Sequence, residues 1–286
     1  MTSDAYRLIR PQRQETATIF SSPHSGSDYP AAFLGMTALD AHMIRSSEDA
    51  FVESLFDVAP QHGAPLLAAR IPRSFIDLNR AADELDPAVI EGIARSAHNP
   101  RVSSGLGVIP RVVAGGRAIY RGKIALAEAE ARITRYWHPY HAALRSLIDT
   151  THAEFGEAIL IDCHSMPHEA IETHARPGQP KPEVVLGDRF GAAAGYEVVE
   201  RVEAAFANAG LRVVRNAPFA GAYIAQAYGR PSRRQHVVQI EIDRALYMNE
   251  SRVEPLPGFA AFRELMAGVV AEIAGIGRST LPLAAE

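Results

Sequence analysis

This chain has a single cysteine, Cys163, among its 286 residues. An internal disulfide and any cysteine-rich zinc site are therefore excluded. An excess of either charge is also missing. An ordinary 22% of residues are charged, 29 basic against 33 acidic, for a net charge of -4. With no basic excess and no long block of like charge, nothing points to a nucleic-acid partner. Long hydrophobic runs are missing too. The N-terminal stretch "MTSDAYRLIRPQRQET" has no apolar signal core. The longest apolar stretch, "LMAGVVAEIAGIG", is too short to span a bilayer and carries Glu272. A cytoplasmic protein without a membrane partner is expected. Internal repeats, low-complexity tracts and linkers are absent, so residues 1–286 read as one domain.

What is present is an alternation of short apolar runs with longer helical patterns. Apolar residues make up 47% of the chain, enough for a sizeable core. "TATIFSS", "APLLAA", "SFIDLN", "LRVVRN" and the two continuous apolar runs "AILIDCHS" and "HVVQIEI" read as strands. Spacing of Ile44, Phe51, Leu55 and Val58 predicts a helix over Ile44–Val58. Helices are also expected over most of Lys123–Phe155, with Pro139 starting, kinking or breaking one, and over Tyr196–Gly210 and Gly258–Ile276. Residues 81–118 form a long irregular segment, of the kind that is often functional. "ARPGQPKP" reads as a loop. This pattern predicts an α/β fold with a mostly parallel central sheet covered by helices on both faces.

Polar residues at strand ends carry the candidate chemistry. His24 follows the first predicted strand, His164 ends "AILIDCHS", and Glu241 lies within "VVQIEID". In open α/β sheets ligands bind beyond the carboxyl ends of strands. Two histidines arriving there suggest a metal site, with the small Gly26 and Ser165 leaving room for a ligand. Catalytic zinc takes three protein ligands and keeps one position for water. The third could be Glu48 or Asp49, either of which can face inward, whereas Glu53 lies further round. Each residue also has a structural reading. Asp162 could be a hydrogen-bonding group, and Glu241 could face solvent opposite Ile240 and Ile242. Asp77 and Arg80 in "PRSFIDLNR" could form a plain salt bridge. Tyr120, Arg121 and Lys123 in "AIYRGKI" could begin a solvated helix. Cys163 with His164 as its base would make a thiol hydrolase, but adjacent strand residues point to opposite faces.

Taken in order, "SSPHSGSDYP", "SSEDAFVESLF", "RSFIDLNRAADELDP", "GVIPRV", "AIYRGKI", "PYHAAL", "LIDCHSMP", "VLGDRFG" and "QIEIDRALYM" resemble the N-formylglutamate amidohydrolase family. The resemblance runs from about residue 21 to about residue 248. It implies a zinc-carboxypeptidase-like fold and the cleavage of the formamide bond of N-formyl-L-glutamate, or a related N-acyl amino acid, in histidine degradation. It also implies His24, Asp49 and His164 as ligands of Zn²⁺ or another divalent metal, and Glu241 as general base. Asn79 and Arg80 resemble a substrate-contacting Asn-Arg pair, with Arg80 set to stabilise the oxyanion. Arg73, Arg121 and Lys123 are the candidates for the substrate carboxylates. One stretch departs from the family pattern: "FAGAYIAQAYG" carries Tyr223, Ala225, Gln226 and Ala227 where more polar residues, including an arginine at Gln226, are expected. A carboxylate-binding regulatory protein of the same fold is the alternative without turnover.

Overall fold

Seven strands form the central sheet of the computed structural model, which describes residues 3–94, 99–172 and 181–278. They are β1 (Tyr6–Ile9), β2 (Thr18–Ser22), β3 (Leu66–Ala69), β4 (Ala158–Met166), β5 (Val184–Gly187), β6 (Val213–Arg215) and β7 (Gln235–Asp243). Their order across the sheet is β1-β3-β2-β4-β7-β5-β6. Four of the six neighbouring pairs are parallel. The pairs β1–β3 and β5–β7 are antiparallel. The sheet is thus mostly parallel, as expected. β1 and β5 were not anticipated, because runs of four residues such as "YRLI" and "VVLG" carry no distinctive period.

The helices that bear on the core and the site are α1 (Leu126–Arg132), α2 (His138–Phe155), α3 (Tyr196–Asn208), α4 (Tyr223–Tyr228) and α5 (Phe259–Ile276). Side chains alternate along β4, and the alternation sorts the core into two layers. Ala158 and Leu160 pack with Leu144, Leu147 and Ile148 of α2. Ile159, Ile161 and Cys163 pack with Val199 and Val202 of α3 and with Met266 and Val270 of α5. Helices therefore cover both faces. Gly156 ends α2 in the left-handed conformation at φ 69° and turns the chain into β4. A π-helical turn at Ile133–Trp137 joins α1 to α2 with helical backbone throughout, and Pro139 follows it directly, so its missing N–H falls where the α-helical ladder is already interrupted.

Two predicted elements are not what periodicity suggested. Ile44–Val58 is broken into a 3₁₀ turn at Met43–Ser47 and one helical turn at Val52–Leu55. Between them Glu48 is extended and Phe51 is left-handed at φ 67°. The interruption lets the Asp49 N–H donate to the His24 carbonyl, 3.1 Å away. "SFIDLN" is a loop rather than a strand. Asp77 bends it by accepting the Asn79 N–H at Oδ1, and a side chain that caps its own backbone competes with strand pairing. Most of "ARPGQPKP" lies outside the described residues. Among the described residues no helix is long and apolar enough to cross a membrane.

Candidate active site

The polar end of the sheet grows out of its apolar face. On β4 the side that buries Ala158 and Leu160 continues into Asp162 and His164. On β7 the side that buries Val237 continues into Gln239 and Glu241. The register sets Asp162 opposite Gln239 and His164 opposite Glu241. Just past the carboxyl ends of β2, β3 and β7 lie His24, the 73–80 loop and Arg244. Glu241 is only 8% exposed, so the solvent-facing reading of its alternation fails. Its neighbours on the strand point into the helix layer, and Glu241 itself lines a cavity of about 610 Å³. That volume falls within the roughly 300–1,000 Å³ common for small-molecule sites.

Buried His24, Asp49 and His164 each offer one ligand atom to a group spanning no more than 4.8 Å. His164 Nδ1 lies 2.9 Å from Asp49 Oδ2, and His24 Nδ1 lies 3.5 Å from the same oxygen. The two rings meet edge to face with centroids 4.7 Å apart. Their outer nitrogens face carboxylates: His24 Nε2 is 2.6 Å from Asp77 Oδ1, and His164 Nε2 is 3.1 Å from Asp162 Oδ2. Carboxylates behind histidines fix ring orientation and tautomer at metal centres. His24 Nδ1 is buried and has no hydrogen-bond partner, an otherwise costly arrangement. An imidazole lone pair left free in this way fits a divalent cation, and the nitrogen and oxygen donor set suits zinc. Glu48, the other carboxylate considered, accepts hydrogen bonds from Tyr29 and Arg45 instead.

Supporting charges surround this group. Arg244 donates through Nη2 to Asp49 Oδ1 at 2.9 Å and through Nε to Ser165 Oγ at 3.2 Å. Arg73 donates to Asp77 Oδ2 at 2.9 Å and lies 3.7 Å from Asp49. Burial alone would raise the Asp49 pKa, but the hydrogen bond with His164 and the nearby charges of His24 and Arg73 hold it well below the usual carboxylate range. Asp77 is likewise held down, against burial, by the charges of His24, Arg73 and Arg80. Burial lowers the affinity of His164 for a proton, yet Asp162 and Asp49 outweigh it and raise its pKa well above the ordinary value. Glu241 is pushed up to about 7, chiefly by burial, with His164 opposing and Asp49 adding.

The remaining candidates divide. Arg73, Asn79 and Arg80 line the cavity. Arg80 donates to the carbonyls of Leu106 and Asn79 at 2.9 and 2.8 Å. Asn79 Nδ2 donates to Asp162 at 3.2 Å and lies 3.0 Å from His164 Nε2. Asn79 Oδ1 accepts the Ile224 N–H at 2.7 Å. Arg121 and Lys123 do not line the cavity. Both are exposed, and Lys123 donates to the Pro87 carbonyl at 2.7 Å. They were proposed from their place after the long segment and from the "AIYRGKI" piece of the resemblance, neither of which fixes where a side chain points. The earlier part of that segment, from Arg101 to Gly116, supplies the cavity wall. Arg101 was missed because a lone arginine in an irregular stretch has no local signature.

Of the two small residues and the thiol, only Gly26 departs from expectation. Gly26 leaves no room for a ligand, because a Cβ there would come within 2.3 Å of the Ile71 carbonyl oxygen. Its bareness serves close backbone packing, while Ser165 does line the cavity. Cys163 is fully buried in the α3–α5 layer, and burial raises its thiol well above the ordinary range. Gln226, at the position expected to be arginine, is exposed on α4 and is not part of the cavity lining.

An α/β protein with a His-Asp-His group at the carboxyl ends of its strands belongs to the broad class that places a reactive centre there. The chain is a member of the N-formylglutamate amidohydrolase family, whose sequence model matches residues 16–248. It is 30% identical over 267 residues to the N-formylglutamate deformylase of Pseudomonas aeruginosa, covering 92% of each chain. It is 29% identical over 236 residues to the N-formylglutamate deformylase of Pseudomonas putida, covering 82% of each. The crystal structure of N-formylglutamate amidohydrolase from Ralstonia eutropha JMP134 superposes with a TM-score of 0.89 at 35% identity, covering 96% of this chain and 99% of that one.

Proposed function

We propose that this protein is a metal-dependent amidohydrolase that cleaves N-formyl-L-glutamate to formate and glutamate. The observation that carries the reading is the convergence of His24, Asp49 and His164 on one point beside Glu241, in a chain of this family. His24 and His164 through Nδ1, and Asp49 through Oδ2, would hold a divalent cation, with Zn²⁺ favoured by the donor set. When bound, such an ion supplies Lewis-acid polarisation of the formyl oxygen and lowers the pKa of water.

The chain's own residues do the rest. Gln239 Nε2 donates to Glu241 Oε1 at 2.8 Å and orients the carboxyl group. Glu241 Oε2 is then the atom to take a proton from the attacking water and return it to the departing nitrogen. A pKa near 7 suits both transfers. Arg80 would stabilise the charge that develops on the carbonyl oxygen. Arg73 balances Asp77 and Asp49. Asn79 holds His164 and Asp162 in place more than it contacts substrate, since both ends of its amide are engaged.

The test is formate release from a panel of N-acyl amino acids by metal-loaded and chelator-treated protein, with metal content measured alongside. N-formyl-L-glutamate should be the best substrate, and turnover should return with a divalent ion. Binding without turnover at stoichiometric metal would instead identify a carboxylate-binding protein. Full activity after removal of all metal would refute the metal reading.

A further inference from the structure

Four arginines line the cavity: Arg73, Arg80, Arg101 and Arg244. Three are engaged by the protein. Arg73 is paired with Asp77, Arg244 with Asp49, and Arg80 donates to two carbonyl oxygens. Arg101 differs, because among the described residues its guanidinium makes no ion pair within 4.0 Å. Glu84, half-buried and 4.0 Å from Arg80 Nε, feels the charges of both Arg80 and Arg101 but forms no ion pair with Arg101. A cation facing a cavity without a partner is a recognition element in search of an anion.

Resting on the substrate reading above, we infer that Arg101 binds the side-chain carboxylate of the substrate and is the residue that selects glutamate over glutamine. The assignment follows from what the other cations already do. Arg73 and Arg244 neutralise the carboxylates around the His-Asp-His group, and Arg80 is left for the reacting carbonyl. N-formylglutamate brings two further negative charges into the cavity, and Arg101 is the arginine available to meet the distal one. Arg80 and Arg101 also act on each other. Burial is the main reason the Arg80 pKa falls, and the Arg101 charge lowers it further. A substrate carboxylate near the pair relieves that repulsion.

The placement is held by its surroundings. Asn99 caps the turn Pro100–Ser103 by accepting the N–H groups of Arg101 and Val102. The Leu106 N–H donates to the Arg101 carbonyl at 2.9 Å. Arg111 ties the same segment down through Asp86 at 2.9 Å and through the Ser103 carbonyl at 3.2 Å. Arg101 is thus presented from an anchored turn, and Arg111 is already committed elsewhere.

The experiment compares N-formyl-L-glutamate with N-formyl-L-glutamine in the unsubstituted enzyme and in Arg101→Ala, Arg101→Gln and Arg101→Lys. The unsubstituted enzyme should prefer the acid by roughly 10- to 100-fold in kcat/KM. Arg101→Ala and Arg101→Gln should erase most of that preference through a raised KM for the acid, with kcat and the amide's kinetics little changed. Arg101→Lys should retain part of it. An equal loss for acid and amide would make Arg101 merely structural and overturn the inference. An unchanged acid-to-amide ratio would overturn it as well. Both outcomes leave the amidohydrolase reading standing, whereas failure of the unsubstituted enzyme to release formate from either compound would remove both.

Discussion

His164 and Glu241 lie directly opposite each other on adjacent parallel strands, on the same face of the sheet. A candidate ligand and a candidate base are thereby fixed by backbone pairing and not by loops. Glu241→Gln keeps the size and the hydrogen bonding of the side chain while removing the proton acceptor. It should retain metal and substrate affinity and lose about 10²–10⁴-fold in kcat. Metal content by atomic absorption and kcat from formate release check this. Loss of metal in the variant would make Glu241 a ligand instead.

Arg244 holds one oxygen of Asp49 while the other faces both histidines. A carboxylate pinned in this way offers a single oxygen to a cation. Arg244→Ala should weaken metal affinity by about 10–100-fold, the usual effect of removing a group that orients a ligand. Arg244→Lys should fall between. Competition with a metal-binding dye measures the affinity without recourse to turnover, and an unchanged Kd would refute the role.

Arg132 is a buried cation beneath the site loop. It lies over the Phe75 ring at 4.0 Å and donates to the Phe75 carbonyl at 3.1 Å and to the Tyr120 hydroxyl at 2.7 Å. Arg132→Met keeps much of the volume but strands both acceptors. It should destabilise the fold by roughly 2–4 kcal/mol, combining lost hydrogen bonds with a lost cation–π contact. Urea unfolding checks the value, and a loss below about 0.5 kcal/mol, typical of a surface change, would contradict it.

His141 is buried between Tyr228 and the Leu78 carbonyl, 2.9 Å from each, and burial lowers its pKa from 6.5 to about 4. Below pH 6.5 the unfolded chain takes up a proton that the folded protein refuses. Stability from this residue is therefore intact above pH 6.5 and lost as pH falls towards 4, by on the order of 3 kcal/mol. Unfolding free energies of the unsubstituted protein and His141→Gln, measured between pH 7 and pH 4, should converge as pH falls. A difference independent of pH would rule the linkage out.

Several features were legible because they follow from local rules. Continuous apolar runs marked β4 and β7 as central strands, since a strand buried on both faces has no polar side. A histidine just past β2 and another near the end of β4 marked the carboxyl edge of the sheet. α3 and α5 followed from their helical period. Local rules also misled. Ile44, Phe51 and Leu55 are apolar because they pack, not because they share a helix, and the chain breaks between them to bring Asp49 onto His24. "SFIDLN" looked like a strand because its Phe75, Ile76 and Leu78 are buried, yet Asp77 bends it into the site.

Residue types and their order determined that this chain would build an α/β sheet with polar groups at one end. Which carboxylate joins the histidines, and which arginines face the cavity, was decided only by tertiary structure. Glu48 and Asp49 are neighbours of like chemistry, and they part because one meets Tyr29 and Arg45 while the other meets His164 and Arg244. Arg101 and Arg121 both lie near the long irregular segment, and nothing local separates them. One borders the cavity and the other is left in solvent, because the anchors formed by Arg111, Asp86 and Asn99 set the path of the chain between them.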